Sequence, residues 1–382
     1  MYVMNKQERY DMRRFGARLV IFILLVSALV VFGIVNLYEA GEISSFRSYI
    51  HRLGQDQLFG LAYSNYDKTY KFHMTDEVHR PQVLALGSSR IMAVKRSVVS
   101  SRYSFYNAGG AIQNVCELPL FVKGLHYDPE FVIVNIDQWW FNPAFEVERL
   151  SFSPSVYDEP EFDFTKLGKC LCSFYEDLVR GKISLKELFA SENIGLNAIF
   201  HENGFAADGS RYQGDMIKVP ELQDDYNFND VLARIHNGVH RFQFGEMADS
   251  SLVTVVDEFL SHCVARGTRV VAFLPPFAPF VYKKMQDTGK YGYMSQLYGM
   301  LLPVFEKYQG CSLYDFTDVT EMGAHNYDFE DGFHGSEIIY NGMIRQMIIR
   351  DSTLARFFVS EEEMGRLDSA YHAKNIRYHS IE

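Results

Sequence analysis

A chain of 382 residues that is 47% apolar and 15% aromatic has ample material for a core, which excludes an intrinsically disordered polymer. Its 48 acidic against 37 basic residues leave a net charge of −11, and a general nucleic-acid partner would need the basic face that this balance denies. Cys116, Cys170, Cys172, Cys263 and Cys311 form an odd set without zinc or disulfide spacing, and no motif for a metal or a cofactor is expected in the chain.

The N-terminus carries the first element. From Leu19 to Val35 the sequence LVIFILLVSALVVFGIV holds no charge, and Asn36-Leu37-Tyr38 extends it. At about 1.5 Å per residue the run reaches the lower limit for a hydrocarbon core of ~30 Å. Lys6, Arg9, Arg13, Arg14 and Arg18 precede it, and Glu39 and Glu42 follow. Basic flanks stay in the cytoplasm. The expectation is therefore a cytoplasmic segment 1–18, a single-pass anchor 19–37 in a bacterial inner membrane, and all else in the periplasm or beyond. A cleaved signal peptide is the rival, but Tyr38-Glu39-Ala40 is a poor small-x-small cleavage site. A buried core helix is the plainer reading, and the basic flank argues against it.

Residues 38–80 show no clear period and read as a stalk with a packing arm. Elements then alternate. Val83-Leu84-Ala85-Leu86 suits a buried parallel strand; Ser104–Tyr106 is a second, ending at Asn107-Ala108-Gly109-Gly110. Glu117–Leu125 reads as a helix with Pro119 in its first turn, and Phe131–Ile136 as a strand. Residues 143–250 lose the pattern and read as an insertion. Within it Asp158–Asp163 is acidic, Leu171–Leu188 supplies one or two helices, and His201–Asp215 is a loop or small excursion. Ser251 is placed to cap a helix whose apolar residues run from Leu252 to Val264 at i, i+3, i+4, i+7, i+8, i+11 and i+12. Gly267 ends it, and Thr268–Leu274 is the strand that follows, closed by Pro275-Pro276. Cys311–Tyr314 is strand-like, Ser336 precedes a helix through Ile338, Ile339 and Ile348, and the tail 351–382 reads as polar and peripheral. The fold class is α/β, a three-layer parallel sheet in a domain spanning 81–350.

Chemistry gathers at the strand ends. In open parallel sheets, ligands bind at the carboxyl ends of strands, and three such ends carry polar residues: Gly87-Ser88-Ser89-Arg90, Asn107–Gly110 and Asp137-Gln138. Asp331-Gly332-Phe333-His334 places an acid and an imidazole three residues apart on a turn. In this reading Ser89 attacks an acyl carbon, His334 takes its proton and Asp331 orients the imidazole. The Ser89 and Gly109 amides are the oxyanion donors. Gly-Ser-Ser after a strand is also an ordinary turn. Arg90 would hold an anionic polymer, or else a surface ion pair. Asn107, Trp139 and Trp140 would line a sugar-binding surface, with core packing of the aromatics as the plainer alternative. Asp315 and Asp318 are alternative orienting acids. His201-Glu202-Asn203-Gly204-Phe205 lacks the second histidine of a zinc-protease helix.

This order of parts resembles the SGNH (GDSL-like) hydrolase superfamily, with Ser89 third in its Gly-Asp/Ser-Ser block and Asp331-x-x-His334 as its last block. Gly87-Ser88-Ser89 and Asp137-Gln138-Trp139-Trp140-Phe141 make the chain similar to members anchored beside polytopic O-acyltransferases. These include the teichoic acid D-alanylation family and the alginate and peptidoglycan O-acetylation proteins. The resemblance covers roughly Val83 to Arg350 outside the insertion and implies a flavodoxin-like sheet. It also implies an acyltransferase or esterase acting on acyl groups, chiefly acetyl, of a cell-surface polysaccharide. A polytopic membrane O-acyltransferase is then the implied partner. The family's Gly-x-Asn-Asp block is absent, and the Gln138 or Asn135 amide would stand in for its asparagine. Two alternatives from other classes are a non-catalytic glycan-binding or scaffold protein beside a membrane synthase, and an independent periplasmic esterase.

Overall fold

Apolar runs of four to six residues, each stopped by glycine, asparagine, proline or aspartate, are too short for stable helices and pair instead as strands. The computed structural model describes residues 5–44, 54, 56–63, 67–145, 164–214, 225 and 227–374. Among them seven strands form: β1 (Val83–Gly87), β2 (Phe105–Gly109), β3 (Phe131–Asn135), β4 (Asn203–Phe205), β5 (Arg211–Gln213), β6 (Arg269–Leu274) and β7 (Ser312–Asp315). Five of these make one sheet, in the order β2-β1-β3-β6-β7, with every pair parallel. The order reverses between β1 and β3, which opens a crevice at their carboxyl ends. Both faces of β1, β2 and β3 are buried, as the apolar runs of β1 and β3 require, while β2 carries the buried Asn107 at its centre. β2 runs on through Asn107 to Gly109, beyond the end expected from the sequence.

The described residues also form α-helices. In chain order they are α1 (Lys6–Glu39), α2 (Asp67–His73), α3 (Glu117–Gly124), α4 (Phe164–Val179), α5 (Leu185–Ala190), α6 (Leu196–His201), α7 (Asn229–Asn237), α8 (Val253–Ala265), α9 (Pro279–Thr288), α10 (Gly292–Glu306), α11 (Glu337–Arg350) and α12 (Glu361–Lys374). The expected stripe of α8 is seated, with Val256, Phe259, Leu260 and Cys263 buried. Gly267 stops the chain in the left-handed region at φ +81. Ser251 is not the cap. Asp249 is, accepting from the Ser251 N–H at 3.0 Å and opening a 3-10 turn before α8.

Within 38–80 the described residues include α2, whose Tyr70 and Lys71 are wholly buried. Lys71 Nζ donates to the Asn107 carbonyl at 2.9 Å and lies 3.8 Å from the Phe205 ring centre, so a buried cation is satisfied by carbonyl and aromatic partners. Within 201–214 the small excursion is a two-stranded pair: β4 and β5 run antiparallel and Phe59 bridges to Phe205. The tail is not peripheral: Leu354 and Phe357 are fully buried, and Phe357 stacks on Phe131 with ring centres 4.3 Å apart. A polar average over the tail concealed that aromatic plug.

The insertion divides between two sites. Cys170, Phe174, Ile183, Leu188 and Leu196 join Leu37 and Ala40 at the end of α1 in a small apolar cluster of their own. Phe228, Val231, Ile235 and Phe242 instead enter the main core. The acidic segment Asp158–Asp163 lies outside the described residues. α1 itself is 34 residues long, reaches a mean hydropathy of 2.9 in its most apolar stretch, and leaves most of that stretch uncovered. It is long and apolar enough to cross a membrane.

Candidate active site

The turn that ends β1 begins with a glycine whose place a side chain would fill only with strain. Gly87 adopts φ +148, and a Cβ there would lie 1.8 Å from Asn135 Oδ1. That approach lets Asn135, at the end of β3, accept from the Ser88 N–H at 3.0 Å and donate to Ser88 Oγ at 3.0 Å. Ser88 Oγ in turn caps the short 3-10 turn Ser89–Ile91. Ser89 is thus held on a tight, buttressed turn at the crevice.

Its hydrogen-bond partner arrives from 245 residues away. His334 Nε2 lies 2.7 Å from Ser89 Oγ, and His334 Nδ1 lies 2.7 Å from Asp331 Oδ2. An ionised carboxylate can only accept, so Nδ1 carries the proton and Nε2 presents its lone pair to the serine hydroxyl. The other Asp331 oxygen accepts the His334 and Phe333 N–H groups at 3.0 and 3.3 Å. Burial raises the Asp331 pKa, but the adjoining imidazole and these hydrogen bonds outweigh it and bring it down to about 2. Burial lowers the His334 pKa, yet the Asp331 charge and hydrogen bond prevail and raise it above its ordinary value. The two side chains remain 22% and 25% exposed.

The supporting turn is equally constrained. Gly332 sits at φ +89, and its carbonyl accepts from Ala278 N at 2.8 Å. Glu330 N donates to the His334 carbonyl at 2.9 Å. Ser336 occupies the N-cap position of α11 as expected, although its hydroxyl makes no cap bond. Asp315 and Asp318 are not the acids paired with the imidazole, since His334 Nδ1 lies on Asp331; their carboxylates accept the amides of Thr317 and Thr320, each at 2.9 Å.

A second polar layer lies directly behind. Arg90 is 1% exposed. Its Nε donates to the Phe333 carbonyl at 3.0 Å, one Nη to Gln138 Oε1 at 2.9 Å, and the other to the Pro276 carbonyl. Asp137 stands 3.6 Å away as its counter-charge, and the guanidinium lies 4.4 Å from the Phe277 ring centre and 5.0 Å from that of Trp139. Arg90 therefore does not bind an anionic polymer. It ties the serine turn, the β3 end, the β6 end and the histidine turn to one another.

Five other expected roles change with it. Gly109 is not a free oxyanion donor, because its N–H is taken by Asn107 Oδ1 at 2.7 Å. Asn107 is fully buried and its amide is spent on the carbonyls of Ile91 and Val94, so it does not touch substrate. The Gln138 amide donates to the Pro275 carbonyl at 2.7 Å and to Thr317 Oγ1 at 2.9 Å, and is not available to an oxyanion. Asn135 is likewise occupied by Ser88 and Asp137. Trp139 and Trp140, 3% and 1% exposed, pack in the core rather than against sugars. Only the Ser89 N–H, among the expected donors, makes no hydrogen bond within the described residues. The clamp is not legible in the sequence because the carbonyls it uses, those of Phe333 and Pro276, have no sequence signature. Among the described residues no group of three His, Cys, Asp or Glu side chains is arranged to hold a metal ion.

No family model, curated protein or solved structure matches the chain.

Proposed function

We propose that this protein is a membrane-anchored serine acyl-transfer enzyme of the SGNH type, with Ser89 as nucleophile, His334 as general base and acid, and Asp331 as orienting acid. The hydrogen-bonded relay from Ser89 through His334 to Asp331, built from opposite ends of the chain, carries the reading. Ser89 Oγ bonds to the acyl carbon as its proton passes to His334 Nε2. The C=O π pair moves onto oxygen, and the Ser89 N–H is the donor at hand for that charge. Collapse breaks the bond to the leaving oxygen, which takes the proton from Nε2 and leaves an acyl-serine. A sugar hydroxyl or a water then repeats the sequence in reverse. Asp331 keeps the imidazolium paired throughout.

The basic flank of α1 and its exposed apolar length support an anchor with the catalytic domain outside the cytoplasm. That setting fits a cell-surface polysaccharide as acyl acceptor and a polytopic membrane O-acyltransferase as the acyl source. A fluorophosphonate probe should label the purified full chain at Ser89, located by peptide mass spectrometry. Labelling that persists in Ser89→Ala would sink the assignment.

One observation favours a second reading, a glycan-binding scaffold without turnover: most of the expected oxyanion donors are already bonded elsewhere. Each missing donor costs about 3 kcal/mol of transition-state stabilisation. The scaffold reading predicts that polymer acylation survives Ser89→Ala and is lost when α1 is removed.

A further inference from the structure

The two ends of the relay grow from strands that are not neighbours. Ser89 follows β1 and the His334 turn follows β7, three places along in the order β2-β1-β3-β6-β7. At about 4.8 Å per step the strands lie ~14 Å apart. The segment 316–336 must cross back over that distance to bring His334 Nε2 within 2.7 Å of Ser89 Oγ. At the crevice it closes on itself. Ser336 N donates to the Asp328 carbonyl at 2.8 Å, Glu330 N to the His334 carbonyl at 2.9 Å, and Phe329 bridges to Gly335. Whatever holds Glu330 therefore holds His334.

β5 holds Glu330, and it holds the serine side as well. Arg211 N donates at 3.0 Å to the carbonyl of Met92, three residues beyond Ser89, and the Arg211 carbonyl accepts from Lys95 Nζ. Two residues further on, Gln213 Nε2 donates to Glu330 Oε2 at 2.7 Å. An antiparallel strand advances about 3.4 Å per residue, so β5 is a spacer of ~7 Å between the two turns. The spacer is itself fixed. Phe205 in β4 exchanges two backbone hydrogen bonds with Phe59, at 2.7 and 2.9 Å. At the hairpin tip the Asp208 carbonyl accepts from Asn107 N at 2.7 Å, and its carboxylate accepts from Arg96 N at 2.8 Å. Arg90 ties the two turns in the buried interior; β5 ties them nearer the surface, where the Gln213–Glu330 bond is half-buried.

We propose, on the reading of Ser89, His334 and Asp331 as nucleophile, base and orienting acid, that Gln213 is a positioning residue for acyl transfer. Through Glu330 it sets the distance between Ser89 and His334, with β5 as the spacer. A part of the insertion thereby serves the chemistry without touching the reacting atoms. Misplacing those atoms by about 1 Å costs on the order of 10²-fold in rate, which is the scale of effect such a brace guards against. Glu330 also contributes negative charge that favours the His334 imidazolium. Rates must therefore be compared on the high-pH plateau, where His334 is neutral in every variant.

The test uses the full chain in detergent. A fluorophosphonate probe reads the second-order rate of modification at Ser89, and urea unfolding reads the stability of the same samples. Gln213→Met keeps the length of the side chain and removes its donor; Gln213→Glu sets a second carboxylate against Glu330. Both should label about 10- to 100-fold more slowly than the unsubstituted chain while remaining folded. Gln213→Glu combined with Glu330→Gln exchanges donor and acceptor, and it should recover most of the lost rate, which a general loss of structure would not allow. Full-rate labelling of Gln213→Met, or a double variant no faster than Gln213→Glu, would overturn the brace. Ser89→Ala distinguishes a failure of the underlying reading. If it still labels, the nucleophile is wrong and the brace goes with it. If it is silent while Gln213→Met labels at the full rate, the relay stands and the brace alone is wrong.

Discussion

Two polar clusters share the carboxyl ends of the same strands, and they have opposite designs. In the first, Ser89, His334 and Asp331 form a linear relay whose outer end stays open to solvent. In the second, Arg90, Asp137, Gln138, Asn135 and Asn107 are buried and nearly every donor is committed to a partner. A reacting group must exchange partners during turnover, so it needs an uncommitted lone pair or proton. A positioning group must not, so its hydrogen bonds are closed. Type of residue does not separate the two roles, since Arg90 and Ser89 are neighbours in the chain; completeness of bonding does.

That contrast is sharpest where activity and stability can be measured on one variant. Ser89→Ala should lower the acyl-transfer rate by about 10⁴- to 10⁶-fold while leaving the unfolding midpoint nearly unchanged, because it deletes one hydroxyl whose partner, the part-exposed His334 imidazole, can turn to water. Single-turnover kinetics with an activated ester, beside urea unfolding in detergent, would test it; a large stability loss would place Ser89 in the structural layer. Asp331→Asn should cost about 10⁴-fold, through loss of the tautomer that leaves Nε2 free.

Arg90→Met should show the reverse balance. It strands Asp137 in the interior, and breaking a buried ion pair in this way destabilises by about 3–5 kcal/mol. Arg90→Met combined with Asp137→Leu should recover much of that loss in the same unfolding assay. If the double variant is no more stable than Arg90→Met, the pair is not what holds the clamp. Gly87→Ala is smaller, about 1–3 kcal/mol, from a strained backbone and a side chain driven into Asn135. Its mark should be a fall in fluorophosphonate labelling larger than the fall in stability, since it displaces the serine turn.

The mildest effect is that of pH. His334 must be neutral to accept a proton, and its pKa is raised, so acylation should fall as pH drops through a midpoint above the ordinary imidazole value of 6.5. In Asp331→Asn burial dominates and the midpoint should move to lower pH; a midpoint that stays put would uncouple the pair. For stability the signs differ. The raised His334 pKa contributes below 6.5, and that contribution is lost as pH rises through the folded value. The lowered Asp331 pKa contributes above 3.8, and that contribution is lost as pH falls towards about 2.

The relay was legible in the sequence because its parts are local and typed. A strand followed by Gly-Ser-Ser, and an acid three residues before an imidazole, are short-range patterns with a mechanical reason. The surrounding clamp was not. Arg90 reads as a surface cation until the Phe333 and Pro276 carbonyls are brought to it, and Gly109 reads as a donor until Asn107 folds back over its N–H. Trp139 and Trp140 beside a strand end read equally well as a sugar platform or as core, and only packing against Phe277 and Phe333 decides for Trp139. The short arm and tail elements escaped notice because single buried side chains, Lys71 and Phe357 among them, leave no periodicity.

By itself the sequence determined the alternation of helices and parallel strands, the apolar N-terminal helix and the three residues of the relay, since each follows from period, charge or spacing within a few turns of chain. The tertiary structure decided which polar groups remain free to react. That depends on which distant carbonyl or carboxylate arrives at each donor, and the chain order of residues does not contain the answer until the strands are side by side.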